Sequence, residues 1–461
     1  MADPPERLPP RIIATQGYTP DFGEDRSIIF VVNLLSLFFG NREGARLLEN
    51  EISCVDSYGG RLLPILGIIF RGGRNVIVLE RQPNPALTDF FRSLGLKLPE
   101  IEILTRADFL TLGRQLEANS ASEHPLVKRL RTQAANTLDG YVTDDTIARL
   151  ATALGKRCLS TPEGSHRGNN KLLLHQHLKS AGLPVFPTCL AASIPEISAA
   201  LREFRSHGYR AAVVKSQIGA TGIGLIKLPI DTADPEIPDA FFFEGPCMVQ
   251  AWLQPGEHGI TAILSPSVQL FLHDDAAYLY DLTEQILDAD STHQGNESPP
   301  PYLPEMPGLQ QEIFRQAGVA ATWLHRQGYR GAASVDFLIA RHGGDSFTAY
   351  ICEINARVTG ATYPSVLARH FHPHGAWLMH NLELATPLPG QLLLEKLRTH
   401  GELFDLQRRS GILPINFNLG PDGLVHKGQF LAIADELSAC RRFLNTGRQD
   451  LPIAWTYTRD R

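Results

Sequence analysis

The chain has 461 residues, 43% hydrophobic and 20% charged, with a formal net charge of −6 at pH 7. That length suits two or three domains with a sizeable core, and mild acidity without any basic block argues against nucleic acid as a partner. Six scattered cysteines (Cys54, Cys158, Cys189, Cys247, Cys352, Cys440) form no Cys-x-x-Cys pair, which fits free thiols in a reducing cytoplasm rather than a disulfide framework or a zinc site.

Residues 1–26, with Pro4, Pro5, Pro9 and Pro10 among charges, read as a flexible tail. The apolar run 28–39 is broken by Asn33 and Ser36 and falls short of the roughly 20 residues of a membrane span. It also follows Asp21, Glu24 and Asp25, the wrong charge for a signal peptide. No membrane association is expected, and the location expected is cytoplasmic. Over residues 27–153, expected strands (27–33, 62–71, 75–79) alternate with expected helices (42–51, 85–94, 144–154), the pattern of a parallel Rossmann-like sheet. No Gly-x-Gly-x-x-Gly opens any of these helices, so a nicotinamide or flavin site is not supported.

A second region starts near Leu154. Asn169-Asn170 caps a helix over 171–181, and Gly182 and Pro184 stop it. A helix over 195–206 leads into a strand over 210–215, and 231–239 and 291–307 read as loops. An amphipathic helix over 311–327 feeds a strand over 332–340. The last unit, from about residue 401, holds the hairpin signal Leu419-Gly-Pro-Asp-Gly423.

Chemistry concentrates in Tyr350-Ile-Cys-Glu-Ile-Asn-Ala-Arg-Val-Thr-Gly-Ala-Thr-Tyr-Pro364. It sets an acid (Glu353), an amide (Asn355) and a guanidinium (Arg357) on alternate residues. If extended, all three point to one face. A carboxylate beside an amide oxygen suits a hard cation such as Mg²⁺, and the arginine suits a phosphate or carboxylate against that cation. An edge strand with a polar outer face is the plainer alternative. Asp336 lies inside an apolar strand and needs a cationic partner, either a structural arginine or a metal shared with Glu353.

Upstream, a strand ending on Lys215 enters a loop with Gly219, Thr221, Gly222 and Gly224, whose backbone can approach an anion. No Gly-Lys-[Ser/Thr] opens a following helix, so this is no Walker A loop, and a glycine-rich hairpin is the alternative. Lys171 stands in a first helical turn, where a cation opposes the dipole unless an anion is near; a solvated surface lysine is the alternative. Met248-Val-Gln250-Ala251-Trp-Leu253-Gln-Pro-Gly-Glu257 runs a strand into a turn ending on an acid, an edge able to meet an adenine, with Glu257 on ribose hydroxyls; an ordinary strand and turn is the alternative. His370, His372 and His374 alternate around Pro373 and read as a loop rather than a metal tract. No Gly-x-Ser-x-Gly or Cys–His arrangement marks a nucleophile.

Taken in this order, these motifs resemble the ATP-grasp superfamily over roughly residues 154–385, and the preceding segment resembles a preATP-grasp domain. Thr359-Gly-Ala-Thr-Tyr-Pro364, with that N-terminal domain, is similar to peptide ligases of the pheganomycin type. The resemblance implies an α/β (α+β) architecture: a Rossmann-like domain over 27–153, a two-subdomain ATP-grasp fold over 154–400 and a C-terminal α/β unit over 401–461. It implies Lys171 and Lys215 on the ATP phosphates and Gly219, Thr221, Gly222 and Gly224 in a flap over them. Gln250 takes the position where many relatives have an acid facing the adenine amino group, Ala251 and Leu253 offer backbone contacts, and Glu257 holds the ribose. Asp336, Glu353 and Asn355 would bind one or two Mg²⁺ ions, or Mn²⁺ in their place. Arg357 and Lys215 would be catalytic, Arg357 steadying the transferred phosphate or acyl phosphate. Ser334 stands where D-alanine ligase-like relatives carry an arginine. That departure and Gln250 leave the metal and phosphate residues intact.

The implied chemistry is ATP-dependent joining of a small-molecule carboxylate to an amine, amino acid or peptide, through an acyl phosphate, by an enzyme whose relatives often dimerise. A carboxylase-type enzyme activating bicarbonate and a non-catalytic ATP-binding module are the other readings. The missing Met-Lys-Met motif counts against the first, and the retained Asp336, Glu353, Asn355, Arg357 and lysines against the second.

Overall fold

The computed structural model describes residues 9–15, 17–52, 59–220, 222–287, 293–445 and 454–457, and their strands form three sheets. Strand β1 is Arg11–Ala14. The first sheet is parallel, in the order β4-β3-β2-β5-β6, from β2 (Ile28–Val31), β3 (Val76–Leu79), β4 (Glu100–Ile103), β5 (Thr137–Gly140) and β6 (Arg157–Cys158). Its centre is apolar on both faces because helices cover both: every residue of β2 and β3 is buried. The expected strand over 62–71 is instead a helix, Leu63–Ile69, with Pro64 in its first turn. Leu63, Pro64, Ile65, Leu66 and Ile69 are all buried, and a helix surrounded by protein shows the same unbroken apolar run as a buried strand.

At the end of β5, burial pushes the Asp139 carboxyl up to about 7, against the hydrogen bonds from the Gly140 N–H and the Thr143 hydroxyl. Folding therefore takes up a proton here between the ordinary aspartate value and pH 7. The stability this group allows is full at low pH and lost as pH rises towards 7. Asp139→Asn should thus gain stability over the native chain across that interval, by on the order of a few kcal/mol at pH ~8. Denaturant midpoints at a series of pH values would show it; a difference independent of pH would refute the account.

The second sheet is antiparallel, in the order β7-β10-β8-β9, from β7 (Thr188–Ala191), β8 (Ala211–Ala220), β9 (Ile223–Pro229) and β10 (Cys247–Ala251). The helix Ile194–Ser206 covers it with Ile197, Ala200, Leu201 and Phe204, an i, i+3, i+4, i+7 stripe.

The third sheet is the largest: β11 (Ala262–Leu264), β12 (Pro266–Leu272), β13 (Ala276–Leu287), β14 (His293–Ser298), β15 (Gly331–Arg341), β16 (Phe347–Asn355), β17 (Ala376–Leu388), β18 (Gly411–Leu419), β19 (Val425–Ala434) and β20 (Trp455–Tyr457). The helix Leu309–Arg326 packs Ile313, Ala317, Ala320, Ala321 and Leu324 onto one face. The hairpin expected at Leu419–Gly423 joins β18 to β19, with Gly423 at φ +74°.

Three expectations change here. Part of the expected tail, β1, pairs in parallel with β13, because β14 covers only Glu284 to Leu287 of that strand and leaves the edge at 276–279 open. β14 falls within an expected loop. Its polar residues are matched: Ser298 donates to Asp281 at 2.9 Å, and Glu297 accepts from Arg441 at 2.7 Å. The chain after residue 401 adds β18, β19 and β20 to the same large sheet rather than folding apart.

A polar network ties the middle of this sheet to the helix Thr362–Phe371. Asp281 accepts from Arg369 Nη2 (2.8 Å), Ser365 Oγ (2.8 Å), Ser298 Oγ (2.9 Å), Trp377 Nε1 (3.0 Å) and the Leu282 N–H (3.0 Å). Asp281 and Arg369 are both buried.

Candidate nucleotide and metal site

β15 and β16 run antiparallel with Asp336 opposite Glu353 and Ser334 opposite Asn355. Alternation brings all four side chains to one face. Asn355 Nδ2 donates to Asp336 Oδ2 at 2.8 Å and to Glu353 Oε1 at 3.3 Å. Asp336 Oδ1 accepts from Ser267 Oγ on β12 at 2.6 Å and from Ser334 Oγ at 3.3 Å.

Lys171 opens the helix Lys171–Ser180, capped by Asn170, whose side chain accepts from the Leu173 N–H at 3.0 Å. Its Nζ lies 3.1 Å from Glu353 Oε2 and donates to the Gly219 carbonyl at 3.3 Å, so the anion its position calls for is Glu353. Burial works against the Glu353 carboxylate, but Lys171, Arg357 and Lys215 overcome it and hold its pKa below the ordinary range. Burial and the Glu353 charge instead push Asp336 up. Lys215, on β8 and over the Phe186 ring at 5.6 Å, is pulled down by burial. Arg357 donates to Asn169 Oδ1, which also accepts from the Ala356 N–H at 3.2 Å.

This donor set fits a hard divalent cation. It offers two close carboxylates and an amide, and the amide N–H₂ now bridging two carboxylate oxygens stands where positive charge is needed; rotating the Asn355 amide by a half-turn turns its oxygen to the same point. Among the described residues no three His, Cys, Asp or Glu side chains form a metal cluster. His370 lies in the last turn of the helix Thr362–Phe371 rather than in the expected loop, while His372 pairs with Asp435 at 2.8 Å and His374 meets the Tyr18 hydroxyl at 3.4 Å.

The glycine loop closes a hairpin between β8 and β9, the plainer of the two readings. Regular pairing lapses between Lys215 and Ala220, where Ser216 Oγ donates to the Ile218 carbonyl at 2.6 Å. A Cβ on Gly219 would stand 2.5 Å from the Ile223 carbonyl oxygen, and one on Gly224, at φ +86°, 2.2 Å from Ser216 Oγ. Thr221 lies outside the described residues.

Lys171, Lys215, Phe186, Gln250, Ile351 and Cys352 are among the residues lining a cavity of about 10 Å³ between the second and third sheets, room for one water molecule. Burial pushes the Cys352 thiol up to about 12, which keeps it inert beside Lys215. Ala251 gives its N–H to the Pro187 carbonyl at 3.0 Å, so a ligand contact from Ala251 falls to its carbonyl. Leu253 is buried beside it. Glu257 is buried, accepts from Arg210 and, at 2.6 Å, from Gln254 through Oε1, and keeps Oε2 buried without a hydrogen-bond partner, an acceptor suited to a hydroxyl.

Sequence reasoning missed Asn169, Ser267 and Gln217. Gln217 accepts from Asn170 at 2.9 Å and donates to the Glu244 and Pro246 carbonyls, both at 3.0 Å. Polar residues within apolar strands (Ser267, Gln269) and the paired asparagines were the available signals.

The fold is that of the ATP-grasp enzymes. The biotin carboxylase of Campylobacter jejuni, solved with an ATP analogue, superposes at a TM-score of 0.56 with 12% identity over 94% of this chain and 92% of its own. The N5-carboxyaminoimidazole synthetase of Staphylococcus aureus, solved with ADP, does so at 0.52 with 13% identity over 92% of this chain and 97% of its own. In sequence, the chain is similar to the butirosin acyl-carrier protein–L-glutamate ligase of Niallia circulans, 22% identical over 305 residues, 63% of this chain and 62% of that protein. The chain thus spans about three fifths of that relative's length. No protein-family model matches it.

Proposed function

We propose that the chain is an ATP-dependent carboxylate–amine ligase acting on an amino acid or peptide. The observation that carries this is the pairing of Asp336 with Glu353 and of Ser334 with Asn355, with Lys171 bridging Glu353 to the glycine flap. A substrate carboxylate oxygen attacks the γ-phosphorus, the bond to the β-phosphate oxygen breaks, and ADP leaves. The amine nitrogen then attacks the acyl carbon, phosphate departs, and the amine proton is lost. Bound Mg²⁺, or Mn²⁺, would neutralise phosphate charge, held by Asp336, Glu353 and Asn355. Lys171 and Lys215, which line one cavity, would meet the phosphate charge. Asn169 fixes Arg357 towards the transferred group, which makes positioning and electrostatics the main sources of rate. Gln250, Ala251 and Leu253 meet the base and Glu257 the ribose.

The structural likeness to biotin carboxylase and carboxyaminoimidazole synthetase keeps a bicarbonate-activating reading alongside. One assay separates them: Mg-ATP with amino acid pools, then with bicarbonate alone, following ADP release and new amide masses. Amide formation with an amino acid pool supports the ligase. ADP release driven by bicarbonate alone supports the carboxylase, and no stimulation by either refutes both.

A further inference from the structure

The edge that would meet the adenine contains a hydrogen-bond chain with a definite polarity. The inference drawn from it rests on the ATP-dependent reading above. Gln250 on β10 and Thr188 on β7 stand opposite each other in register. Thr188 Oγ1 donates to the Phe186 carbonyl at 2.9 Å, which uses its only proton, so towards any other neighbour it can only accept. It accepts from Gln250 Nε2 at 3.0 Å. Phe186 is itself held by stacking on Tyr350, centroids 4.9 Å apart, and by Lys215 above its ring. The amide of Gln250, a residue lining the cavity, is thereby oriented with nitrogen to Thr188 and oxygen as the end left for a ligand. Reversing it would set two acceptors against each other unless Thr188 gave up Phe186.

We propose that Thr188 is a positioning residue that sets nucleotide selectivity: it makes the Gln250 amide behave as an acceptor, as a carboxylate at that place would. An acceptor takes the exocyclic amine of adenine and rejects the exocyclic oxygen of guanine. An unlocked amide can present either end and reads both bases. The backbone of Ala251 to Leu253 supplies the remaining discrimination.

The test is equilibrium binding of the Mg²⁺ complexes of β,γ-methylene ATP and β,γ-methylene GTP to the full chain, with the unfolding midpoint recorded for each variant. The native chain should prefer the adenine analogue. Thr188→Val, equal in shape but without the hydroxyl, should lower the adenine-to-guanine preference about tenfold, the worth of one hydrogen bond. Thr188→Ser should restore it, which a loss of packing alone would not predict. Gln250→Glu should keep the preference and make it insensitive to Thr188→Val, because a carboxylate has no donor end to turn. An unchanged ratio in Thr188→Val, or no recovery in Thr188→Ser, overturns the assignment while leaving the ligase reading in place. Binding of neither analogue by the native chain overturns both.

Discussion

Glu353→Gln should lower ATP-dependent turnover about 10³-fold, since the variant loses several kcal/mol of charge stabilisation around the transferred phosphate. Glutamine keeps the shape but removes the charge that Lys171 meets at 3.1 Å and that Lys171, Arg357 and Lys215 together keep ionised. Nucleotide affinity should fall far less, because the proposed base and ribose side of the cleft, from Gln250 to Glu257, lies on other elements. Single-turnover ADP release set against equilibrium binding of an ATP analogue separates the two effects. Near-normal turnover would sink the assignment of Glu353 to the metal site.

The second large effect concerns stability. Arg369→Met leaves Asp281 buried without its cation, a loss of about 3–5 kcal/mol for a broken buried pair. Guanidinium unfolding should show a lower midpoint at unchanged slope. Adding Asp281→Leu should return only part of the loss, because it removes the buried charge but leaves the Trp377 and Ser365 donors without their acceptor. If Arg369→Met cost less than about 1 kcal/mol, the network around Asp281 would be no more than a surface-like ion pair.

The parts of this molecule legible in the sequence were those whose signal is local. Glu353, Asn355 and Arg357 alternate with period two, and Asp336 interrupts an apolar strand, so the main acidic cluster could be found from spacing alone. Lys171 could be suspected from its conflict with a helix dipole, and Glu353, 182 positions later, resolves that conflict. What stayed hidden depends on pairings remote in sequence. Asn169 looked like a helix cap, and nothing near it announces Arg357. β14 is polar because its partners, Arg369 and Arg441, arrive from elsewhere, and β1 forms because a neighbouring strand leaves an edge open. The helix Leu63–Ile69 was misread since burial on all sides erases the periodicity that separates helix from strand.

On the proposed reading, Lys171 would link nucleotide binding to the glycine loop. Its ammonium group now serves two masters, the Glu353 carboxylate and the Gly219 carbonyl of the flap. Phosphate oxygens arriving between them would compete for the same three protons. If nucleotide phosphates bind there as proposed, filling the site and releasing the glycine loop would be one exchange of partners at a single side chain.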